Sequence, residues 1–403
     1  MKNLEKRVPI IRFKGFSEAW EQRKLEELAA FSKGIGYTKN DLVEKGIPLV
    51  LYGRLYTKYE TIITEVNTFT KMKDKSVVSK GNEVVVPSSG ETAKDISRAS
   101  VIGAEGFILG GDLNIIQPKR ELNSIFLALT ISNGEQQKEI IKRAQGKSVV
   151  HLYNTDLKQV KLSYPIFNEQ QKIGDFFKQL DNTIALHQRK LEALKLMKKG
   201  FLQQMFPKSE VDIPKIRFAD FDGKWEQRKL GDVFNERSER SADGELISVT
   251  INSGVIKASK LEKKDNSSFD KSNYKVVKKG DIAYNSMRMW QGASGYSSYD
   301  GILSPAYTVI YPRKDIDTIF IAYMFKKIDM IQTFQRNSQG LTSDTWNLKF
   351  PSLSKIKIKI PTNEEQIKIT NLLRKLEYTS TFHQNKIERL KKLKKAYLQT
   401  MFI

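Results

Sequence analysis

The hexapeptide WEQRKL occupies residues 20–25 and returns unchanged at residues 225–230. The segments in front of it are also related, PIIRFKGF at residues 9–16 and PKIRFADF at residues 214–221. Both matches share an offset of 205 positions, and chance does not place two such matches in register. The sequence therefore contains two copies of one structural unit.

A second pair of matches lies in the carboxyl-terminal part of each copy. PIFNEQ at residues 165–170 parallels PTNEEQ at residues 361–366, at an offset of 196 positions that also relates the endings LQQMF (202–206) and LQTMF (398–402). This period is far longer than that of a solenoid repeat. It predicts a duplication with pseudo-two-fold symmetry inside one chain. Because the regions between these flanks share little sequence, we expect the halves to do similar jobs on different targets.

Each copy ends in a segment with the period of a long helix. Residues 169–205 lack proline, and their apolar positions recur in alternating steps of four and three, the heptad rhythm of a coiled coil. At 1.5 Å per residue such a helix spans roughly 55 Å and needs a partner in water. We therefore predict that the two helices pair antiparallel and hold the globular regions apart; the alternative is two ordinary core helices in separate domains. The predicted seam comprises Ile173, Phe177, Leu180, Ile184, Leu191, Leu194, Ile369, Leu373, Leu376, Ile387 and Leu390.

The seam also carries polar residues at equivalent steps. His187 and Lys198 in the first copy correspond to His383 and Lys394 in the second. Polar residues in a seam lower stability but can fix register and partner orientation.

The chain is strongly basic. It has 68 Lys and Arg against 46 Asp and Glu, a net charge of +22, divided into +10 over residues 1–206 and +12 over residues 207–403. Two similarly charged halves favour a polyanionic partner such as nucleic acid. A charge that serves only solubility is the alternative.

The composition excludes several classes of function. There is no cysteine and only three histidines occur, so a thiol nucleophile, a disulfide scaffold or a zinc finger is excluded. The sequence has no GxxxxGK[ST], HExxH or GxSxG motif. We predict neither a catalytic site nor a metal site in this chain. It has no apolar run of eighteen residues and no apolar signal core at residues 1–12, so we expect a cytoplasmic protein.

The regions before the helices predict a mixed α/β (α+β) fold. Short apolar runs at residues 83–86, 274–277 and 306–310 and the alternation KIKIKI at residues 355–360 favour strands. The predicted order is a globular domain at residues 1–165, a spacer helix at 166–207, a second globular domain at 208–360 and a second spacer helix at 361–403.

Polar, glycine-bearing segments in both globular regions are candidate reading loops. Arg, Asn, Gln, Ser and Thr pair with base edges, and Tyr and Trp can stack on bases. For any single segment an ordinary surface loop is the alternative; as a set on two basic domains they favour DNA binding. The candidate DNA-binding residues are Tyr52, Arg54, Tyr56, Ser88, Ser89, Thr92, Gln145, Lys147, Ser148, Asn285, Ser286, Arg288, Trp290, Gln291, Gln339, Thr342 and Ser343.

The layout resembles the specificity (S) subunit of Type I restriction–modification systems, over essentially the whole chain. The similarity lies in the Trp-Glu-x-x-x-Leu starts at residues 20 and 225, Gly-Asp-Ile at residues 280–282, the Pro-x-x-x-Glu-Gln helix starts and the Leu-Gln-x-Met-Phe ends. One departure is Gly-Asn-Glu at residues 81–83, where the family usually has Gly-Asp-Ile. Another is Ile367, where the first copy has Gln171.

The resemblance implies a function without chemistry in this chain. It implies that two target recognition domains each read one half of a split double-stranded DNA sequence, with the paired helices as spacer. Two modification subunits would bring S-adenosylmethionine and methylate adenine, and restriction subunits would add ATP- and Mg-dependent translocation and cleavage. The alternatives from other classes are a stand-alone DNA-processing enzyme and a two-headed, non-catalytic adaptor for acidic proteins.

Overall fold

The computed structural model describes residues 8–146, 148–208, 210–261 and 267–403, which form two compact units. Unit 1 comprises residues 1–188 with 385–403, and unit 2 comprises residues 189–384. Each unit therefore contains one globular region, the first half of the long helix that follows it and the end of the other long helix. The predicted boundaries at residues 165, 207 and 360 separate each globular region from a long helix along the chain. The compact units divide the chain differently, because their boundaries fall inside both long helices. Among the described residues, no helix has the length and apolar character needed to span a membrane.

Unit 1 is built from short strands joined by short helices. Its strands are β1 (Glu21–Lys24), β2 (Ala29–Lys33), β3 (Leu42–Val43), β4 (Ile47–Val50), β5 (Ile62–Ile63), β6 (Phe69–Thr70), β7 (Val78–Lys80), β8 (Val84–Pro87), β9 (Ser89–Gly90), β10 (Ser100–Ile102), β11 (Glu105–Leu109), β12 (Leu113–Pro118), β13 (Val150–His151) and β14 (Lys161–Tyr164). Its helices are α1 (Leu25–Leu28), α2 (Arg54–Thr57), α3 (Ala93–Ile96), α4 (Ser124–Ile131), α5 (Gly134–Arg143), α6 (Asn154–Lys158) and the start of α7 (Phe167–Gln204), with a 3-10 turn at Lys39–Asp41.

Two sheets with strand orders β2-β12-β8-β10-β5 and β3-β6-β4-β11-β7 form the body of unit 1. Strand β8 lies inside the first sheet and is buried on both faces, which explains its unbroken apolar sequence. Val84 and Val86 face the core around Phe126 of α4, and Val85 faces a second core around Leu109 of β11.

Unit 2 repeats this design with a smaller sheet system. Its strands are β15 (Glu226–Lys229), β16 (Phe234–Glu236), β17 (Ile247–Thr250), β18 (Gly254–Lys257), β19 (Lys275–Val277), β20 (Ile282–Asn285), β21 (Ser294–Tyr296), β22 (Gly301–Leu303), β23 (Tyr307–Pro312) and β24 (Lys357–Ile360). Its helices are α8 (Leu230–Val233), α9 (Thr318–Met324), α10 (Ile328–Asn337), α11 (Phe350–Leu353) and the start of α12 (Asn363–Thr400), with 3-10 turns at Ala258–Lys260 and Met289–Gln291.

The central sheet of unit 2 has the order β16-β23-β20-β21. Strand β20 occupies the place that β8 has in unit 1. Ile282 and Tyr284 face the main core with Phe320 of α9, while Ala283 faces a second core. The mixed α/β prediction is confirmed, and the predicted strand runs overlap β8, β19, β23 and β24.

The repeated WEQRKL sequence closes each globular region. Trp20 and Trp225 are buried, at 4% and 3% exposed, and the four residues after each form β1 and β15. Strand β1 pairs antiparallel with β14, and β15 pairs with β24 in the equivalent register. The repeat is therefore conserved inside the chain because it joins the beginning of each globular region to its last strand.

A buried ion pair explains two further repeated residues. Arg12 donates from Nε and Nη2 to the Glu169 carboxylate at 2.6 and 2.7 Å, and Arg217 binds Glu365 at 2.8 and 2.7 Å. Both glutamates are fully buried on the first turn of a long helix. These bidentate bonds satisfy the buried charge and tie the segment before WEQRKL to the helix start.

The repeated glutamine that follows each of these glutamates ties the helix to the globular region. Gln170 accepts a hydrogen bond from the Asn123 N–H at 2.9 Å and donates to the carbonyl of Pro165 at 2.8 Å. Gln366 makes the same two bonds, to the N–H of Asp317 and the carbonyl of Pro361. The Glu-Gln motif therefore has a structural role.

The long helices pack through the predicted heptad positions. Nine of the eleven predicted seam residues are buried, and Leu194 and Leu390 are half-buried. Within unit 1, Phe176 contacts Tyr397 at 5.1 Å between ring centroids, and Asp181 contacts Lys394 further along, so the helices run antiparallel there.

The end of each long helix completes the core of the unit that it enters. In unit 1, Phe402 stacks on Phe126 at 5.8 Å, and Trp20 contacts the same Phe126 ring at 5.6 Å. In unit 2, Phe206 stacks on Phe320 at 5.0 Å and contacts Trp225 at 6.0 Å. The Met-Phe endings of the repeat are thus core residues exchanged between the two copies.

The turn before the central strand corrects one detail of the sequence comparison. Asp281 accepts the Lys278 N–H at 2.8 Å, and Glu83 accepts the Lys80 N–H in the same way at 2.6 Å. Asn82, at φ 66°, occupies the left-handed position of Gly280. Asn82-Glu83, and not Gly81-Asn82, is therefore the counterpart of Gly280-Asp281.

Candidate nucleic-acid interface

Two of the predicted reading loops meet in unit 2. Residues 285–292 leave the end of β20 and make a 3-10 turn that closes at Gly292, whose φ is 82°. Residues 339–347 follow α10 and form a loop closed by reciprocal backbone hydrogen bonds between Gln339 and Asn347, at 3.0 and 2.8 Å. The two segments together are named the unit 2 loop surface.

A backbone bond and an aromatic pair hold these segments together. The Leu348 N–H donates to the Ser286 carbonyl at 2.8 Å, and the Trp290 and Trp346 rings meet edge to face at 5.2 Å. The Trp290 Nε1–H is satisfied by the Met287 carbonyl at 3.0 Å. Both loops are therefore held in a defined conformation without a ligand, which lowers the entropy cost of binding.

The predicted residues of this surface differ in accessibility. Arg288, Gln339, Thr342 and Ser343 are exposed, while Asn285, Trp290 and Gln291 are half-buried. Ser286 is buried, and its hydroxyl bonds the Thr308 hydroxyl at 2.7 Å. The side chain of Ser286 thus supports the loop, and its backbone carbonyl anchors the neighbouring loop.

Three features of this surface were missed from the sequence. Leu341 is fully exposed at the tip of its loop, and Met287 is 45% exposed beside Arg288. Lys326 lies behind the surface and donates to the carbonyls of Gly292 and Ile251 at 2.6 and 3.0 Å. Burial, with a smaller effect from Lys198, lowers the pKa of Lys326 to about 8. Its place between the two recognition segments in the sequence gave no signal of this role.

Unit 1 brings its own loops together by the same bonds. The Leu152 N–H donates to the Ser88 carbonyl at 3.0 Å, as Leu348 does to Ser286, and Gln145 and His151 exchange backbone bonds at 3.0 and 2.7 Å. Strand β13 pairs with β9 at the same place. Residues 88–92, 145–146 and 148–151, with α2 beside α3, are named the unit 1 loop surface; the predicted residue Lys147 lies outside the described residues.

The predicted residues of the unit 1 loop surface also differ in accessibility. Thr92, Gln145 and Ser148 are exposed, and Ser88 and Ser89 are buried. Thr92 caps α3, because its hydroxyl accepts the Asp95 N–H at 3.2 Å. His151 and Tyr153 stack at 6.1 Å, and Tyr153 is 46% exposed, an aromatic pair that the sequence analysis did not select.

The residues at α2 have partners inside the domain. Arg54 donates to the Glu60 carboxylate at 2.5 Å and to the Glu65 carbonyl at 2.9 Å, and its side chain is only 9% exposed. Tyr52 and Tyr56 are half-buried with ring centroids 6.2 Å apart, and burial raises the pKa of Tyr56. Arg54 therefore acts in the structure as an internal ion-pair partner, whereas the two tyrosines contact each other at α2, which lies beside α3.

The described residues place no group of three or more His, Asp or Glu side chains where they could hold a metal ion. The two loop surfaces present mainly polar, cationic and aromatic side chains, together with the exposed apolar Met287 and Leu341 in unit 2. Two unlike loop surfaces on equivalent domains of a basic chain are the architecture of a bipartite recognition protein.

Comparison with known proteins agrees with this class. The family model of the Type I restriction modification DNA specificity domain matches residues 17–196 and again residues 222–392. The chain belongs to this family, and its function is DNA sequence specificity in a Type I restriction–modification system.

Individual relatives are distant but extend over much of the chain. The MjaVIII specificity subunit of a Type I restriction enzyme from Methanocaldococcus jannaschii is 22% identical over 366 residues, which is 83% of this chain and 81% of that protein. The putative MjaX specificity subunit of the same organism is 24% identical over 53% of this chain and 52% of that protein. A crystal structure of a Type I restriction–modification S subunit from M. genitalium superposes with a TM-score of 0.61 and 15% identity, covering 98% of this chain and 99% of that one.

Proposed function

We propose that each loop surface reads one half of a bipartite DNA target and that the helix pair sets the number of unread base pairs between the halves. The observation that carries this proposal is the repeated geometry of the two loop surfaces. In both, the residue after a closed loop donates its backbone N–H to the carbonyl of the serine that follows the central strand, Ser88 or Ser286. The two loop surfaces share these backbone bonds but carry different exposed side chains, which is what recognition of two different half-sites requires.

The charge and side chains of the loop surfaces suit duplex DNA. Arg288 is exposed on the unit 2 loop surface and can bind a guanine edge with two hydrogen bonds, while Gln145 and Gln339 can pair with adenine. The net charge of +22 supplies the sequence-independent attraction to phosphate. Base contacts then set sequence, and phosphate contacts set position.

The proposal assigns the chemistry to partner subunits. Two modification subunits would bind S-adenosylmethionine and methylate adenine, and restriction subunits would use ATP and Mg to translocate and cleave. This chain would be non-catalytic and would act in the cytoplasm with those subunits. The composition supports this division, because the chain has no cysteine and only three histidines.

The decisive experiment is methylome mapping of cells that express this chain with a Type I modification subunit. We expect one split adenine-containing motif with a fixed spacing, absent when either protein is omitted. Deleting one heptad from each of α7 and α12 should change the spacing and leave the two half-sites unaltered. An unchanged spacing would refute the role of the helices.

The purified chain alone tests the other two classes of function. With S-adenosylmethionine, ATP and Mg present, we expect neither methyl transfer nor cleavage of DNA. Turnover by the isolated chain would identify a stand-alone DNA-processing enzyme. Partner-protein binding that is indifferent to DNA, together with no methylated motif in cells, would identify an adaptor.

A further inference from the structure

The seam lysines of the two long helices have equivalent partners. Lys394 of α12 donates from Nζ to the Asp181 carboxylate of α7 at 2.5 Å, within unit 1. Lys198 of α7 donates to the Glu377 carboxylate of α12 at 2.5 Å, within unit 2. The lysines are 196 positions apart, and so are the carboxylates, which matches the offset of the sequence repeat. The same cross-helix ion pair is therefore built twice.

Each carboxylate also binds the globular region of its own unit. The Thr61 hydroxyl, just before β5, donates to the second oxygen of Asp181 at 3.1 Å. The Tyr323 hydroxyl, on α9, donates to the second oxygen of Glu377 at 2.7 Å. A carboxylate has acceptor positions for both donors at once. Each cluster thus joins three elements: one globular region and both long helices.

The two clusters differ in the carboxylate, which is Asp181 or Glu377, and in the side chain that the globular region supplies. Thr61 and Tyr323 are not equivalent in the repeat, since they lie in different secondary structures. In unit 2, Lys198 also lies over the Tyr323 ring, at 5.6 Å from its centroid. Burial, with the bond to Glu377, raises the pKa of Tyr323, so its hydroxyl stays protonated as a donor. The carboxylate acceptor is therefore repeated in both clusters, while each globular region supplies its own hydroxyl donor.

We propose that these two clusters, Asp181–Lys394–Thr61 and Glu377–Lys198–Tyr323, are positioning residues that determine how strictly the protein selects the spacing between its half-sites. The inference rests on the proposed function and adds residues to it.

The geometry of DNA explains why such a cluster matters. Adding one base pair moves a half-site by about 3.4 Å and turns it by roughly 34–36°, since one helical turn takes 10–10.5 base pairs. A domain held to the helices by apolar contacts alone can rock and twist, because such contacts have no direction. A charge-assisted bond to each helix and a hydroxyl bond to the domain oppose both motions.

The test measures spacing selectivity in the complex with a modification subunit. The substrates carry the motif found for the wild type, at its native spacing and at one base pair more or less. In unit 1, Lys394→Met removes the ion pair and Thr61→Val removes only the hydroxyl bond. Lys395→Met is the matched control, because this neighbouring lysine carries the same charge at an exposed position. The unit 2 set is Lys198→Met, Tyr323→Phe and the exposed control Lys199→Met.

We expect Lys394→Met and Lys198→Met to reduce the ratio of methylation at native over altered spacing about fivefold, within the range of coupling between contacting residues. Thr61→Val and Tyr323→Phe should reduce it in the same direction, with the half-site sequences unchanged. Lys395→Met and Lys199→Met should keep the wild-type ratio. The swap of Asp181→Lys with Lys394→Glu should restore part of the selectivity that either substitution alone removes.

The outcomes separate the inference from the proposed function. If the wild type methylates no split motif, the proposed function is wrong and the inference falls with it. If the wild type is selective and the folded Lys394→Met and Thr61→Val proteins are equally selective, the inference alone is wrong. Thermal melting of each variant verifies that it is folded. If loss of the ion pair unfolds the chain, Thr61→Val and Tyr323→Phe still test the inference, because they remove only a hydroxyl group.

Discussion

Phe402 offers a sharp test of the exchanged helix ends. It is 5% exposed in the core of unit 1, where its ring lies 5.8 Å from Phe126 and 5.9 Å from Phe177. Yet it belongs to the second copy of the repeat, and every residue between positions 189 and 384 of the chain lies in unit 2. Phe402→Ala should therefore destabilise a unit far from it in sequence.

The magnitude follows from the buried surface. Removing about 150 Å² of aromatic surface from a core at roughly 25 cal/mol per Å² costs about 4 kcal/mol. Buried Phe→Ala substitutions cost about 3–5 kcal/mol, which agrees. Because a chain with two units does not unfold in one step, the free energy must be measured for each unit separately.

Hydrogen exchange followed by mass spectrometry gives that resolution. We expect faster exchange in β8 and α4 of Phe402→Ala and unchanged exchange in β20 and α9. Phe206→Ala should give the mirror result, and Phe382→Ala, at a side chain that is 53% exposed, should alter neither unit. A loss below about 1 kcal/mol in unit 1, or a loss confined to unit 2, would refute the exchange of helix ends.

Three further predictions concern the ion pairs, the loops and pH. Glu169→Gln leaves Arg12 buried without its counter-charge and should cost about 3–5 kcal/mol of unit 1 stability, measured by local exchange; wild-type exchange rates in the first turn of α7 would contradict this. Arg288→Ala should cost about 1–3 kcal/mol of DNA binding and relax one half-site alone; an equal loss on all sequences would make Arg288 a phosphate contact. Burial lowers the pKa of Lys326 from its ordinary value of 10.5 to about 8 in the fold, so the unfolded chain binds this proton more tightly. Below pH 8 the buried amine is charged, and its desolvation lowers the free energy of unfolding by the full amount; this cost disappears as the pH rises towards 10.5. Denaturant titrations should therefore show the free energy of unfolding of the wild type rising relative to that of Lys326→Met over that range. A pH-independent difference would contradict the shift.

The parts of the fold that depend on local pattern could be predicted from the sequence. The heptad steps named seam residues that the structure buries, and the apolar run before Pro87 became a strand of the central sheet. Boundaries shifted by one or two residues, as in 355–360, where Lys355 and Ile356 precede β24. Periodicity determines which face of a helix is apolar, and so it sufficed here.

The remaining features depend on partners that are distant in sequence. Lys198 and Lys394 were recognised as polar seam residues, but Glu377 and Asp181 could not be named as their partners without the packed helices. Arg54 was included among the candidate DNA-binding residues, and although Glu60 and Glu65 are only six and eleven residues further along the chain, its bonds to them depend on how the chain turns after α2. Which side of a loop faces the solvent is likewise a property of tertiary structure, so the sequence could not show that Ser88 and Ser286, both candidate DNA-binding residues, have buried side chains.

The exchanged helix ends also order events during synthesis. A ribosome must produce all of residues 189–384 before it reaches the segment that holds Tyr397, Met401 and Phe402. Until that segment emerges, the first globular region has an open apolar site beside Phe126 and Trp20. A prematurely terminated chain would therefore leave the core of its first domain uncovered, a site at which proteases could act before the second reading surface had been made.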